Sequence, residues 1–337
     1  MKLDNEQLRI LDDTATTYDA WMAAKRALLA LGPPLQWKSN RGADYLYEIR
    51  GSSGGTSHGP RSAETEARKD AYDRAATEYR ATIASTEQRL KVLAAQYRAL
   101  RLPRVHPALG AIVREADLRG LLGKALIVVG TNAMPVYEIE SQRRFLDGLT
   151  ATQDCDLAWC STVQLTIAGG PTAAPRPVYA LLKAVDSSFT VNMERPFQAR
   201  NRNGYEVELL LGEEAAATFP PYEELRPPPL PEQDWLMRGT FVSHVLFDLE
   251  QQPVRLVVPD PRWMALHKLW IADKPQRNPN KVPKDREQGM RLARAVAVDM
   301  HRFPVGDEFR RQVPEILQPY LRAFPQVIAP SGIGPGG

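Results

Sequence analysis

The amino-acid sequence predicts an α+β fold, in which a small mixed β-sheet core lies between an N-terminal helical arm and a C-terminal helical unit. Short apolar runs, such as the Leu-Ile-Val-Val run at 126–129, are typical of buried strands. Apolar residues spaced three or four apart over 63–101, and again beyond 259, indicate helices on both sides of the core. We divide the chain into four segments: a helical arm with a small hairpin (1–104), the core (105–258), the C-terminal helical unit (259–325) and a disordered tail (326–337).

The composition of the 337-residue chain is that of a globular protein, with 43% hydrophobic and 25% charged residues. A formal net charge of +3 is too small to indicate nucleic-acid or membrane binding by itself. The first residues lack the apolar segment of a signal peptide, and no run approaches the roughly 20 apolar residues of a membrane span. We therefore expect a cytoplasmic protein without a membrane partner. Cys155 and Cys160 alone support neither a disulfide framework nor a structural zinc site.

The N-terminal arm begins with a helix predicted over residues 5–31, which Gly32 and two prolines end. An aromatic and basic hairpin follows over 35–50, with its turn at 40–42. We interpret this segment as an edge hairpin whose aromatic and basic side chains pack on helices. Direct contact of these side chains with a substrate is the less favoured alternative. The Gly- and Ser-rich residues 51–61 are predicted to be mobile.

The long helix predicted over 63–101 carries an apolar seam that needs a helical partner. Two partners satisfy it: the first helix of the same chain, or the same helix of a second chain in a homodimer. Basic residues between Arg89 and Arg104 add positive charge near the end of this helix. A solvated basic face is the favoured interpretation of these residues, and contact with RNA or DNA is the alternative.

A strand that breaks at a Gly-Thr pair is the first candidate for chemistry. The apolar run at 126–129 ends at Gly130-Thr131, and the chain then continues as a helix. Free backbone N–H groups at the start of a helix form a site for a phosphate. The sequence therefore predicts an anion-binding turn at Gly130 and Thr131.

Two acidic pairs on neighbouring predicted strands are the second candidate. Asp154 and Asp156 are two residues apart and share one face of a strand, as do Glu206 and Glu208 on another. Because adjacent strands lie roughly 5 Å apart, three of these carboxylates can converge on hard cations such as Mg²⁺. Two such ions would activate an attacking oxygen and neutralise a leaving pyrophosphate. The spacing leaves open which glutamate supplies the third carboxylate.

These motifs resemble the signature of the nucleotidyltransferase (polymerase β-like) superfamily, which has a Gly-Ser/Thr pair opening a helix and then Asp-x-Asp on the next strand. Here the pair is followed by Asn132-Ala133, and the acidic motif reads Thr-Gln-Asp-Cys-Asp-Leu at 152–157. The segments at 203–210, 258–269 and 280–292 resemble uncharacterised bacterial "nucleotidyltransferase fold" proteins, which are similar to toxin-type nucleotidyltransferases. The resemblance covers about residues 105–300.

The resemblance implies a role for each matching residue. Gly130 and Thr131 would bind the triphosphate, and Asp154 and Asp156 would be metal ligands. Glu208 would be the third metal-binding carboxylate and would accept the proton of the attacking hydroxyl, although this position is more usually Asp. The long gap between Gly130 and Asp154 requires an insertion near 142–149, where Arg143 and Arg144 would either reach phosphates or lie in a solvated loop.

Basic residues after 259 complete the predicted site. Lys268 resembles the lysine that faces the nucleotide in this superfamily, with the rim of an amphipathic helix as its structural alternative. Arg277, Lys281 and Lys284 form a basic loop suited to phosphate or nucleic-acid contact, although Lys284-Asp285 can also cap the next helix.

Together these features predict a metal-dependent nucleotidyltransferase. It would move a nucleoside monophosphate from an NTP to a hydroxyl acceptor, with two Mg²⁺ ions, or Mn²⁺ in their place, and would release pyrophosphate. An RNA 3′ end such as that of tRNA is slightly preferred as acceptor, and a protein or a small molecule is the alternative. The rival hypothesis is a non-catalytic protein that binds a nucleotide or nucleic acid in a degenerate site.

Overall fold

The computed structural model describes residues 2–50, 54–145, 154–160 and 177–325. Its contacts divide the chain into two compact units, one of residues Asp12–Gln96 and one of Met1–Leu11 with Tyr97–Gly337. The core strands and the C-terminal helices belong to the same unit, and the four-segment division stays a prediction. The predicted tail lies outside the described residues. Helices and small mixed sheets confirm the α+β class.

The smaller unit contains most of two helices and one antiparallel sheet. Its elements in chain order are α1 (Asn5–Ala30), β1 (Leu35–Asn40), β2 (Ala43–Arg50), β3 (Gly54–Pro60) and α2 (Ala63–Ala99). The Trp21 indole N–H donates to Glu87 Oε1 at 3.1 Å, and Arg89 lies 3.1 Å from Asp13. The first helix therefore contacts the seam-bearing helix within the same chain. The homodimer through residues 63–101 stays untested.

The predicted hairpin is a three-stranded sheet. Its third strand, β3, comes from the segment expected to be mobile, so that prediction is wrong for residues 54–60, while residues 51–53 lie outside the described part. A Cβ atom on Gly55 would lie 2.5 Å from the carbonyl oxygen of Glu48. The glycine that suggested flexibility is thus required because two strand backbones approach closely.

The larger unit contains two mixed sheets. Its strands are β4 (Arg104–Val105), β5 (Leu126–Val128), β6 (Asp154–Trp159), β7 (Thr190–Val191), β8 (Gln198–Arg200), β9 (Glu206–Leu211), β10 (Val242–Asp248) and β11 (Pro253–Val258). One sheet has the order β5-β6-β9-β8-β7, in which β6 and β9 are parallel and the other pairs are antiparallel. The other has the order β11-β10-β4. In β6 and β9 buried apolar residues alternate with acidic residues, so one face joins the core and the other carries carboxylates.

The neighbour of β9 differs from the prediction. The sequence at 189–193 and 205–211 predicts a two-stranded antiparallel hairpin joined through 201–204, but β8 lies between these segments and pairs with β9. The reason is the turn at 201–204, where the Asn201 N–H donates to the Tyr205 carbonyl and Gly204 has φ +81°. Such a short turn places the residues directly before it beside β9.

The helices of the larger unit surround these sheets. They are α3 (Pro107–Leu118), α4 (Met134–Glu140), α5 (Pro177–Val185), α6 (Pro231–Asp234), α7 (Pro261–Ala272), α8 (Val282–Asp299) and α9 (Asp307–Gln312). The sequence predicts a single helix over 308–324, but α9 ends before Pro314 and a 3₁₀ helix covers Glu315–Ala323. Proline lacks the N–H that would continue an α-helix, which explains the break. Within the described residues, no helix combines the length and apolarity needed to cross a membrane.

Candidate active site

The Gly-Thr turn lies directly against the acidic strand β6. After β5 the chain forms a 3₁₀ turn, Gly130–Ala133, that continues into α4. Gly130 has φ +67°, and a Cβ atom there would lie 2.1 Å from Asp156 Oδ2. The Val129 N–H donates to the Asp156 carbonyl at 2.9 Å. Glycine is therefore required at 130 both for its backbone conformation and for the space that the Asp156 carboxylate occupies.

A buried amide connects the same turn to the other aspartate. Asn132 Nδ2 donates to the Asp154 carbonyl at 2.7 Å, and the Asn132 residue is only 4% exposed. Thr131 Oγ1 receives a hydrogen bond of 3.4 Å from Gln288 on α8. The sequence reasoning gave Asn132 no role, although a polar residue inside the turn motif was a usable signal. The turn and the acidic strand are thus held together by side chain as well as backbone.

The two acidic pairs face each other in register. In the parallel pairing of β6 and β9, Asp154 lies opposite Glu206 and Asp156 opposite Glu208. Desolvation of the carboxyl, followed by the charges of Glu208 and Asp154, raises the pKa of Asp156 to about 7. The charges of Lys268 and Lys281 act in the opposite direction. Negative charge is therefore crowded at Asp156, as expected of carboxylates that bind a cation.

The two candidate glutamates have different surroundings. Glu208 Oε1 accepts a hydrogen bond from Gln198 Nε2, whereas Glu206 lies 3.8 Å from the guanidinium of Arg200. Carboxylate oxygens are the ligands that Mg²⁺ prefers, and the register suits them to one cation. In the described part of the chain, however, no group of three or more acidic, His or Cys side chains is close enough to hold a metal ion. The donor chemistry fits a divalent cation, while the side chains as they stand do not converge on one.

Three of the predicted basic residues are paired with acids of the protein. Lys268 Nζ lies 2.7 Å from Asp285 Oδ1, and Arg277 Nε donates to Asp285 Oδ2 at 2.7 Å. Lys281 Nζ lies 3.4 Å from Asp154 Oδ2. Lys268 therefore lies within electrostatic reach of Asp156 but is buried and ion-paired, so it is not the exposed helix-rim lysine of the structural alternative. The sequence offers Lys284-Asp285 as an alternative helix cap, and the structure shows Asp285 as the shared partner of Lys268 and Arg277.

The two arginines of the predicted insertion form ion pairs elsewhere. Arg143 Nε lies 2.5 Å from Asp299 Oδ2, and Arg144 Nε lies 3.3 Å from the buried Glu138. Both side chains are therefore paired with acids of the protein rather than free in a solvated loop, and a phosphate contact by either arginine stays a prediction. Residues 146–149 of the predicted insertion lie outside the described part.

The comparisons with known proteins support one family. A family model described as Nucleotidyltransferase matches residues 108–314, which is more than half of the chain and contains every predicted site residue. No curated protein and no solved structure gives a significant match. The chain therefore belongs to the nucleotidyltransferase family.

Proposed function

We propose that the protein transfers a nucleoside monophosphate from an NTP to a hydroxyl acceptor and depends on a divalent cation. The observation that carries this proposal is the register of β6 and β9, which opposes Asp156 to Glu208, with Gly130 against the Asp156 carboxylate. A turn that can bind phosphates thus adjoins a set of oxygen ligands. Transfer of a nucleoside monophosphate from an NTP needs both, because positioning and charge neutralisation provide most of the catalysis of phosphoryl transfer.

The residues of the site have complementary tasks. Asp154, Asp156 and Glu208 would hold Mg²⁺ or Mn²⁺, and the backbone N–H groups at Gly130 and Thr131 would bind phosphate oxygens. When bound, the cations supply neutralisation of the phosphate charge and activation of the attacking oxygen. Lys281 is exposed near Asp154 and would contact the triphosphate. Lys268 and Arg277 would contribute positive charge from their positions beside Asp285.

The proposed step forms one bond and breaks one. The acceptor oxygen bonds to the α-phosphorus of the NTP, and the bond from that phosphorus to the bridging oxygen breaks, which releases pyrophosphate. The hydroxyl proton passes to Glu208. Glu208 is the better candidate than Glu206, because Glu208 lies directly opposite Asp156 whereas Glu206 lies beside Arg200.

An RNA 3′ end is the first acceptor to test. The support is the basic content of the segments at 89–104 and 277–284, which contain several Lys and Arg residues each. A protein hydroxyl and a small molecule are the acceptors to test next.

Label transfer from an NTP tests the proposal. The wild-type chain is incubated with each α-³²P-labelled NTP, Mg²⁺ or Mn²⁺, and total RNA, protein or a panel of small hydroxyl compounds. We expect labelled product and pyrophosphate from the wild type, and no product from the folded double variant Asp154→Asn/Asp156→Asn. Full activity in the double variant would reject the proposed site.

A second function, nucleotide binding without transfer, is favoured by a separate observation. The carboxylates of the described residues do not converge on a metal position. Calorimetry distinguishes the two functions. Saturable NTP binding with no pyrophosphate release, across all the acceptors above, would support the binding protein over the enzyme.

A further inference from the structure

Three side chains form a hydrogen-bonded row that ends at the proposed third carboxylate. Asn192 Nδ2 donates to Gln198 Oε1 at 3.2 Å, and Gln198 Nε2 donates to Glu208 Oε1. Gln198 is on β8 directly opposite Glu208 and is only 5% exposed. Asn192 follows β7 and lies farther from the carboxylates. We name the pair of Asn192 and Gln198 the amide relay.

The backbone fixes the orientation of the first amide. Asn192 Oδ1 accepts hydrogen bonds from the N–H groups of Glu194 and Arg195, at 3.0 and 3.3 Å. An amide oxygen accepts and an amide nitrogen donates, so the Nδ2 group must point away from these N–H groups. It therefore points toward Gln198 and can only donate to an acceptor there.

The orientation of the second amide follows from the first. Because Asn192 offers Gln198 a donor, Gln198 must present its oxygen to Asn192 and its nitrogen to Glu208. The N–H groups of Glu194 and Arg195 thus fix the orientation of both side-chain amides, so that Gln198 presents a hydrogen-bond donor to Glu208. Glu206 has no such amide partner among the described residues, since the residue opposite it on β8 is Arg200.

We propose that Asn192 and Gln198 are positioning residues, which fix the orientation of the carboxylate of Glu208, the residue opposite Asp156, and so select Glu208 over Glu206 as the third carboxylate of the site. This inference rests on the proposed function. Gln198 occupies one oxygen of Glu208 and leaves Oε2 without a hydrogen bond from the described residues. Outer residues that orient a metal-binding carboxylate in this way commonly change metal affinity or activity 10- to 100-fold when lost.

The substitution Asn192→Asp disrupts the amide relay but keeps the hydrogen bonds of the local turn. The new carboxylate keeps an oxygen that accepts from the N–H groups of Glu194 and Arg195, so the turn is retained, but it offers Gln198 no donor. Gln198 should then turn its N–H group toward the new carboxylate and present its oxygen to Glu208, which repels the Glu208 carboxylate. The matched control is Asn203→Asp, which adds the same charge at an exposed position of the turn before β9 and leaves the relay intact.

Three measurements test the relay in the full-length chain. For Asn192→Asp we expect kcat to fall about tenfold with an unchanged KM for NTP, and Mn²⁺ affinity without NTP, measured by electron paramagnetic resonance, to weaken by a similar factor. Asn203→Asp should match the wild type in both. A crystal structure of Asn192→Asp should show a displaced Glu208 side chain.

The outcomes distinguish the relay from the proposed function. An unmoved Glu208 in the crystal structure, or wild-type kcat and Mn²⁺ affinity in Asn192→Asp, would overturn the relay. A wild-type chain that transfers no nucleotide to any acceptor would overturn the proposed function instead, while the position of Glu208 in the crystal structure would still decide the relay.

Discussion

Asp156 and Asp285 are both enclosed aspartates near the candidate site, yet their surroundings are opposite. Burial and the like charges of Glu208 and Asp154 raise the pKa of Asp156 to about 7. Lys268 and Arg277 flank Asp285 and lower the pKa of its carboxyl, against the effect of burial. The negative charge of Asp285 is therefore balanced by neighbouring cations, and we call this the balanced side of the comparison. The negative charge of Asp156 adjoins further negative charges, and we call this the unbalanced side. The comparison supports the proposal that the acidic strands bind a cation, whereas the Asp285 cluster is already paired within the protein.

The largest expected effect is on the unbalanced side. Asp156→Asn should lower nucleotidyl transfer by about 100- to 1,000-fold, the order of effect of losing one essential electrostatic group. The same variant should melt at a higher temperature in metal-free buffer, because it removes crowding of like charges. Activity assays and thermal melts check both effects, with the exposed Glu250→Gln as control. A variant that loses activity and also melts at a lower temperature would contradict the proposed difference between the two aspartates.

On the balanced side, the expected effect is on stability. Asp285→Asn leaves Lys268 and Arg277 without their acid, and removing one partner of a buried ion pair typically costs about 3–5 kcal/mol. Urea unfolding measures this loss. Asp273→Asn is the matched control, because Asp273 pairs with Arg286 on the surface and such a pair contributes about 1 kcal/mol or less. Equal losses in the two variants would show that the Asp285 cluster is not a buried ion-pair network.

The two glutamates of β9 can be compared to identify the third carboxylate beside Asp154 and Asp156. Glu208→Gln should lower kcat about 10- to 100-fold, because it removes a proton acceptor and a metal-binding carboxylate. Glu206→Gln makes the same chemical change two residues earlier on the same face of β9. We expect its activity to stay within about twofold of the wild type, since Glu206 pairs with Arg200 at the surface. Steady-state kinetics with the labelled NTP measure both variants. The reverse pattern would assign the third carboxylate to Glu206.

Much of the acidic side was predictable from the sequence. The apolar run before Gly130 and the alternation around Asp154, Asp156 and Glu208 are local patterns, and a period of two places alternate residues on one face. The structure bears out the turn and the facing acidic strands. The short strand β8 was missed, because its sequence Gln-Ala-Arg has no apolar alternation and only the turn after it determines its place.

The balanced side was not predictable from local patterns. The Lys268–Asp285 pair joins two helices across 17 positions of the chain, and no periodicity records which lysine meets which acid. The same limit applies to Asn132, whose partner is a backbone carbonyl 22 positions away. Such contacts depend on tertiary packing, whereas composition and spacing report only which residues share a face.

The smallest expected effect concerns His267, which adjoins the balanced cluster. Its ring is buried against Trp235 and Trp270, and its Nε2 has no hydrogen-bond partner among the described residues. Burial, together with the charge of Lys268, lowers the pKa of His267 from 6.5 to about 3. Below about pH 6.5 His267 therefore binds a proton in the unfolded chain but stays neutral in the folded chain. The free energy of unfolding decreases as the pH falls from 6.5 toward 3. Between pH 6.5 and pH 5 this contribution is at most about 2 kcal/mol.

Substitution of His267 by Gln tests this acid sensitivity. Denaturant unfolding at pH 7, 6 and 5 should show a smaller loss of stability in His267→Gln than in the wild type, whereas the exposed His301→Gln should keep the wild-type slope. If the wild type and His267→Gln lose stability equally on acidification, His267 does not stay neutral beside Lys268. In that case the charge of Lys268 would act on the His267 ring more weakly than their packing indicates. The surroundings of Asp285 and Asp156 would then differ less than proposed.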